Sequence, residues 1–344
     1  MTTEPTPKEQ DYPLSPVPMD QRKSVWSMGL VLLGFTFFTA TMWAGGSVGV
    51  AFDFSTMLMV LAVGNLLLGL YAAGLGYIAA RTGLNTARMS RFTFGELGSK
   101  LSAFILGFTQ IAWSAWGTAT MAILLVKLTG MPEGMTTPLM VLFGFAFCVT
   151  AFIGYQGLEW LSRIAVPAMI ILVAVSMSIA TSDAGGLSGL LAITPTNEMS
   201  VAAAITLVFG TFVSGGTQAT NWTRFAKSGK TAVIATLLAF FLGNGLMTLI
   251  GAFGALVYQQ ADIVDIMVAQ GLATLGILML FLNLWTTQDN TVYNFAVAGC
   301  NLIRTRRRKS VTIAGAAIGT VLAVLGMYEW LIPFLVLLGT FIPP

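Results

Sequence analysis

Ten apolar segments constrain the fold of this chain more than any other feature. Each of the first nine is long enough to cross about 30 Å of hydrocarbon. They cover roughly residues 25–50, 55–80, 101–127, 137–157, 159–182, 199–225, 231–257, 272–303, 310–328 and 331 onward. Only 9% of the residues are charged, too few to cover a water-facing surface. The sequence also lacks the short alternating strands of outer-membrane barrels, so it predicts an all-α integral membrane bundle.

The positions of the lysines and arginines predict an orientation. If the N-terminus is cytoplasmic and each segment crosses once, every one of the 17 Lys and Arg residues except Lys127 lies on the cytoplasmic side. Such asymmetry is typical of bacterial inner-membrane proteins, where cytoplasmic loops carry the positive charge. The basic run 304–309 is interpreted in the same way, in preference to a nucleic-acid or anionic-lipid site. We therefore expect the lipid bilayer as a partner, and no nucleic acid.

The two ends of the chain differ from the segments between them. Residues 1–24 are mostly polar and proline-rich, and they lack the apolar region of a signal peptide, which predicts a disordered cytoplasmic tail. Residues 25–344 form one predicted transmembrane domain, with a first repeat at about 25–182 and a second at about 199–344. The apolar run that begins at Leu331 reaches residue 344 without a charged anchor, so we expect a truncation within the tenth helix.

No catalytic constellation accompanies these segments. The chain has no histidine, and its two cysteines, Cys148 and Cys300, lie in or beside apolar runs. It also lacks a P-loop and a cysteine cluster, and without a histidine it cannot form a His-based triad. These absences argue against an enzyme with such a site and against ATP-driven transport, and they favour an ion-driven transporter without a cofactor.

Two segments carry glycine and hydroxyl residues where a membrane helix would favour leucine and valine. The first contains the sequence GFTFFTA at 34–40, followed by Gly45 and Gly46, and the sixth contains FGTFVSGGT at 209–217. Glycine loosens a helix, and hydroxyls satisfy the backbone groups that a break exposes. The two segments open corresponding halves of five crossings each. Because five is odd, the second half must be inverted relative to the first. Paired breaks in inverted halves predict a substrate site at the midplane, although small-residue helix packing is the alternative for either segment alone.

The eighth segment carries the densest group of polar residues. Asn283, Thr286, Thr287 and Asn290 follow the i, i+3, i+4, i+7 spacing that places side chains on one helix face. Two neighbouring hydroxyls and the carbonyls of a broken helix would suit Na⁺, whereas a hydrogen-bonded seam between helices fits the spacing equally well. Asp289 lies beside this face, with proton coupling, a counter-charge role and a position near the cytoplasmic mouth all left open.

The third segment carries an amide and two indoles at helical spacing, namely Gln110, Trp113 and Trp116. An amide offers a planar heterocycle both a donor and an acceptor, while an indole offers a stacking face. Phe212 on the sixth segment would close the other face of such a ring. An aromatic–amide packing patch is the alternative. A flat, uncharged cargo fits both the aromatic residues and the scarcity of charge.

At these residues the sequence resembles the nucleobase:cation symporter-1 family. The resemblance extends from residue 15 to residue 344. Its most specific stretches are LGFTFF at 33–38, MWAGG at 42–46, GNLLLG at 64–69, RFTFG at 91–95, AFFLGN at 239–244, DIMVAQG at 265–271 and NLWTT at 283–287. The resemblance implies the LeuT-type fold of five plus five helices in inverted repeats. It also implies secondary active import of a nucleobase, with cytosine the first choice, coupled to Na⁺ by alternating access.

The resemblance also implies roles for individual residues. Trp113 and Phe212 would enclose the base, and hydrogen bonds to its edge would come from Gln110, Ser214, the Gly215 backbone and Asn283. A sodium site would use the carbonyls of Gly34, Phe37 or Phe38 and Asn283, with the hydroxyls of Thr286 and Thr287.

Two positions depart from the family pattern, because Gly215 stands where alanine is expected and Gln288 where asparagine is expected. Both departures leave room for a related pyrimidine. The alternative within transport is a different cargo, such as a hydroxymethylpyrimidine, a purine or a hydantoin, or proton coupling in place of sodium. The expected truncation also admits a remnant that binds a base without moving it. We expect a monomer.

Overall fold

The computed structural model describes residues 11–330, and this range is helical apart from its connections and one isolated bridge between Lys23 and Ala226. The predicted tenth segment, which begins at residue 331, and the expected truncation within it lie outside the described residues.

The first predicted repeat contains seven helices, and an eighth lies between the two predicted repeats. They are α1 (Val25–Thr36), α2 (Thr39–Gly49), α3 (Phe54–Thr82), α4 (Thr86–Thr129), α5 (Thr136–Ala146), α6 (Cys148–Ile153), α7 (Tyr155–Asp183) and α8 (Gly186–Ala192). The longest helix, α4, is kinked at Gly95, whose φ of 65° lies in the left-handed region that glycine adopts without strain.

The second predicted repeat contains eight described helices. They are α9 (Val201–Gly210), α10 (Val213–Gln218), α11 (Thr220–Thr223), α12 (Gly229–Thr236), α13 (Asn244–Tyr258), α14 (Ile263–Ala269), α15 (Ala273–Leu302) and α16 (Arg308–Val324). A π-helical stretch, Leu237–Gly243, joins α12 to α13.

The apolar helices agree with a membrane bundle. Within residues 11–330, five helical spans are long and apolar enough to cross a bilayer, or seven if each of two bent pairs counts as one span. α15 and α16 are not among them, since α15 carries the polar group of the eighth segment and α16 has only 17 residues. Both coincide with predicted segments, and the full set of ten crossings stays a prediction.

The two unusual segments are broken helices, as their composition predicts. α1 and α2 meet at an angle of 61°, with Phe37 and Phe38 between them, and α9 bends by 41° against the α10–α11 pair at Thr211 and Phe212. In the first segment the break falls seven to eight residues before Gly45, and in the second it falls three to four residues before Gly215.

Gly45 and Gly46 do not form the break in the first segment. They lie inside α2, where an added Cβ at Gly45 would collide with the backbone carbonyl of Thr248 on α13, and one at Gly46 with the backbone of Ala261. Gly49 approaches the carbonyl of Ala252 in the same way. These glycines let the backbones of α2 and α13 touch, so small-residue packing explains this pair.

The N-terminal segment differs from the sequence-based expectation. A disordered tail is predicted up to residue 24, but residues 11–24 follow a defined path across one end of the bundle. The buried guanidinium of Arg224 donates to the backbone oxygens of Asp11 and Tyr12 over 2.7 and 2.6 Å. Asn85 and Asn301 both donate to the Pro13 oxygen, over 2.8 and 2.9 Å. Buried donors at the helix ends need acceptors, and this segment provides them.

Candidate functional site

The two breaks and two neighbouring helices enclose one cavity. Its empty space is about 260 Å³, including the part that is open to solvent, and it is lined by ten residues: Phe35, Phe38, Gln110, Trp113, Thr211, Phe212, Ser214, Gly215, Thr287 and Thr291. Five of the six residues predicted to bind the base therefore lie together, although they come from two separate helical segments. No residue of this lining carries a charge, which suits a neutral polar guest.

Aromatic rings form much of the lining. The ring of Phe38 makes edge contacts with Trp113 and Phe212, with ring centroids 5.4 and 6.1 Å apart. Phe35 meets Phe212 edge-on at 4.9 Å. Breaking the first helix places two phenylalanines at the cavity, so the site contains more aromatic surface than the predicted Trp113–Phe212 pair.

Ser214 and Gly215 lie in the first turn of α10, directly after the break. Their backbone N–H groups have no backbone acceptor among the described residues, as expected at the start of a helix. A Cβ at Gly215 would collide with the Phe212 ring and lie 3.0 Å from the Phe35 ring. Glycine at this position thus lets Phe212 fold back over its own helix, which gives the departure from the family pattern a structural consequence.

Asn283 is the one predicted base ligand that does not line the cavity. Its side-chain oxygen accepts a hydrogen bond of 2.7 Å from the Thr39 hydroxyl, and its amide nitrogen faces the sulfur of Met247 at 3.7 Å. The side chain therefore joins α15 to α2 and α13. This differs from the position that the resemblance implies, because the polar spacing along α15 does not reveal which neighbour each side chain meets.

Three of the predicted cation ligands, Phe37, Asn283 and Thr287, meet where α15 touches the first break. Thr287 Oγ1 lies 3.0 Å from the Phe37 oxygen, 3.1 Å from the Asn283 oxygen and 3.4 Å from the Phe35 oxygen. The Thr286 hydroxyl donates to the Leu282 and Asn283 carbonyls of its own helix. Of the two alternatives at the break, Phe37 supplies a carbonyl to this cluster, whereas the Phe38 carbonyl caps α2 by accepting from Thr41 N.

Gly34 lies beside this cluster and against α7. A Cβ at Gly34 would collide with the Ser162 hydroxyl and lie 3.5 Å from Thr286 Cβ. Ser162 Oγ is buried and has no hydrogen-bond partner in the described part of the chain. An orphaned hydroxyl next to a group of carbonyl and hydroxyl oxygens is compatible with a hard cation such as Na⁺ at this point.

The sequence-based search missed three lining residues, Phe35, Thr211 and Thr291. Phe35 and Thr211 belong to the two predicted breaks, and Thr291 lies one helical turn after Thr287. Their positions in the sequence are the signal that could have made all three of them candidates. To decide that they line the cavity, one must know how the broken helices and α15 pack together, which only the tertiary structure provides.

Asp289 does not reach the cavity. Its carboxylate oxygens accept hydrogen bonds from the Thr150 hydroxyl at 2.8 Å and from the Asn290 amide at 3.0 Å. Among residues 11–330, no lysine or arginine forms an ion pair with it. The counter-charge alternative therefore has no support in the described structure.

Comparison with known proteins places this site in a family. The family described as permease for cytosine/purines, uracil, thiamine and allantoin matches residues 16–344. The chain belongs to this family. It is 40% identical over 337 residues to the cytosine permease of Escherichia coli K12, covering 98% of this chain and 79% of that protein. The cytosine permease of Escherichia coli O157:H7 gives the same values. The expectation of a transporter rather than an enzyme is thereby confirmed.

Solved structures confirm the expected fold. Mhp1, a nucleobase-cation-symport-1 family transporter in a closed conformation with bromovinylhydantoin bound, matches with a TM-score of 0.81 at 18% identity. The match covers 96% of this permease and 78% of Mhp1. A Na⁺-coupled sialic acid symporter in a substrate-bound outward-open state matches with a TM-score of 0.68 at 14% identity, covering 93% and 77%. The chain is thus a mostly helical membrane transporter of the LeuT-type fold.

Proposed function

We propose that this permease imports a nucleobase, with cytosine the first choice, by Na⁺-coupled alternating access. The observation that carries the proposal is the small cavity at the two helix breaks, which combines aromatic rings with one amide and no charge. A planar, neutral heterocycle with polar edges matches that lining. The cytosine permease relatives support the same class of cargo.

The base would lie between Trp113 and Phe212, where stacking contributes about 1–3 kcal/mol per base. Gln110, Ser214 and the free N–H groups at the start of α10 would supply hydrogen bonds to its edge. Asn283 would contribute only after releasing Thr39, since its oxygen is engaged there. We therefore assign recognition of the base edge first to the groups on α4 and α10.

Sodium would be held by the carbonyls of Gly34, Phe37 and Asn283 with the hydroxyls of Thr286 and Thr287. These neutral oxygens lie at the contact between the broken helix and α15, so a bound cation would fix one against the other. Because both breaks line the base cavity, that fixation would favour the base-binding arrangement. Cation and base would then strengthen each other's binding by the same factor.

Import, as the proposed direction of transport, rests on the orientation of the bundle in the membrane. The end of the bundle formed by residues 11–24, 80–91, 224–230 and 304–309 is rich in lysine and arginine. By the positive-inside rule this end faces the cytoplasm of a bacterial inner membrane. Entry of Na⁺ down the membrane potential would add up to about 2.3 kcal/mol per 100 mV for each charge carried across.

Proton coupling is the second candidate mechanism, and the burial of the Asp289 carboxyl is the observation that favours it. This carboxyl is fully buried and has only neutral hydrogen-bond partners among the described residues. A carboxyl in that setting is expected to bind a proton readily, because charge at bilayer depth is unfavourable. Cation dependence of binding therefore separates the two candidates.

The test is calorimetric titration of the purified permease with cytosine in sodium and in choline buffers, followed by cytosine counterflow in proteoliposomes. Tighter binding in sodium together with counterflow supports the proposal. Equal affinity in both buffers, with a shift only when pH changes, would assign coupling to Asp289 instead. Binding without counterflow would identify a base-binding protein that does not transport, and the absence of binding by any nucleobase would contradict the assigned cargo.

A further inference from the structure

Gln110 ends a chain of three buried amide side chains that starts at the first residue of α4. The backbone N–H of Thr86 donates to Asn221 Oδ1 over 3.2 Å, and Asn221 Nδ2 donates to Asn294 Oδ1 over 2.7 Å. Asn294 Nδ2 donates in turn to Gln110 Oε1 over 3.4 Å. All three amides are at most 2% exposed, so the chain is shielded from water.

The first member of this chain fixes the direction of all the others. A backbone N–H can only donate, so the Asn221 atom that faces Thr86 must be the carbonyl oxygen. The amino group of Asn221 then points to Asn294, whose oxygen must accept it. The amino group of Asn294 is left to donate to Gln110. An amide's orientation follows from its hydrogen-bond partners, and here an unambiguous partner sets three orientations in series.

The oxygen of Gln110 is therefore occupied, and its amino group remains for the cavity. No described residue accepts a hydrogen bond from Gln110 Nε2, and this nitrogen is not among the fully buried atoms that lack a partner. Since Gln110 lines the cavity, Nε2 is the atom that faces a guest. An amide is normally both a donor and an acceptor, but this one presents only its donor.

We propose that Thr86, Asn221 and Asn294 hold Gln110 as a fixed donor, so that the site selects a base presenting an acceptor there, such as ring nitrogen N3 of cytosine. The inference rests on the nucleobase site proposed above and names the residues that set its specificity. Uracil carries an N–H at the same ring position, so two donors would face each other. A mismatch of this kind at a buried site lowers affinity about tenfold or more.

The sharpest test uses Thr86, because its backbone N–H is the donor that sets the direction of the chain. Thr86 is the first residue of α4, a position that accepts proline, and Asn85 before it is extended as proline requires, with φ −80° and ψ 168°. Thr86→Pro removes the N–H, whereas Thr86→Val keeps it. Both changes remove the Thr86 hydroxyl and its contacts with Thr220 and Asn221.

Cytosine and uracil affinities are measured by calorimetry for the wild type, the two Thr86 variants, Asn294→Leu and the control Asn301→Leu. Asn301 is a buried amide on the same helix that bonds to Pro13 and Val297 instead of the chain. We expect Thr86→Pro and Asn294→Leu to reduce the preference for cytosine over uracil about tenfold, with Thr86→Val and Asn301→Leu unchanged. Detergent melting temperatures confirm that each variant is folded.

An unchanged cytosine preference in folded Thr86→Pro would overturn this inference while leaving the proposed function intact. The same holds if Thr86→Val and Thr86→Pro lose the preference equally, because the hydroxyl and not the anchor would then be responsible. If the wild type binds neither base, the proposed function fails as well, so the two failures are distinguishable. The Thr86 pair decides the matter even if Asn294→Leu does not fold.

Discussion

The hydroxyl of Thr287 lies 3.0 Å from the carbonyl oxygen of Phe37, at the residue where helical bonding in α1 stops. The Asn283 carbonyl is 3.1 Å from the same hydroxyl, on the α15 side. One side chain thus connects the broken helix to an unbroken one. Any ligand that enters this contact acts on the break, and through it on the cavity that Phe35 and Phe38 line.

Replacing Thr287 by valine is expected to abolish the sodium dependence of base binding. Valine keeps the shape of threonine but lacks the hydroxyl, and coupling between two sites is typically about 1–3 kcal/mol, or roughly 5- to 150-fold in affinity. Calorimetry with cytosine in sodium and choline buffers measures the difference. Thr287→Ser keeps the hydroxyl and should retain the dependence. Sodium dependence that survives in Thr287→Val would exclude this hydroxyl as a ligand.

Trp113→Ala is expected to weaken base binding by about 1–3 kcal/mol through loss of stacking. The matched control is Trp116→Ala, because the two indoles are almost equally buried, at 6% and 5% exposed, and both contact Phe38. Only Trp113 lines the cavity. Both variants should lower the melting temperature in detergent, while only Trp113→Ala lowers affinity. Equal affinity losses in the two variants would assign Trp113 to core packing.

Gly34→Ala is expected to destabilise the protein by about 1–3 kcal/mol, because the new methyl group collides with the Ser162 hydroxyl and overpacks the contact between α1 and α7. Combining it with Ser162→Ala removes the colliding oxygen and should restore part of the loss. A double-mutant cycle on melting in detergent measures the coupling between the two positions. Additive effects would show that α1 does not pack against Ser162 at Gly34.

Asp11 provides a test of pH dependence outside the membrane-spanning segments. Burial raises the pKa of the Asp11 carboxyl, although Arg308 and Arg224 act in the opposite direction. Arg308 Nε lies 3.2 Å from Asp11 Oδ2, but without hydrogen-bond geometry. A raised pKa means that the folded state binds this proton more tightly than the unfolded chain does. Stability is therefore lost as pH rises from the ordinary value of 3.8 through the raised pKa.

Asp11→Asn removes that titration and leaves the other carboxyl groups in place. We expect the melting temperature of the asparagine variant to rise relative to that of the wild type as pH increases through this window, and the difference between the two proteins then to stay constant. Thermal unfolding in detergent at several pH values measures the difference between the two proteins. A wild type that gains stability over Asp11→Asn with rising pH would show that its two arginines outweigh burial.

The sequence by itself determined the features that depend on local pattern. Apolar length predicts membrane helices, and the glycines and hydroxyls at 34–40 and 209–217 predict the two breaks, because both follow from the backbone's need for hydrogen bonds in lipid. Helical spacing likewise predicts that Gln110 and Trp113 share a face. These properties require no knowledge of neighbouring helices, and the structure agrees with each of them.

Only the tertiary structure decided which groups meet across helices. It engages the Asn283 side chain with Thr39, selects the Phe37 carbonyl for contact with Thr287, and places the N-terminal segment on Arg224. It also fixes the direction of the Gln110 amide through partners up to 184 residues away in sequence. Spacing gives the face on which a side chain lies, whereas the partner on that face depends on the angle at which a broken helix packs against its neighbours.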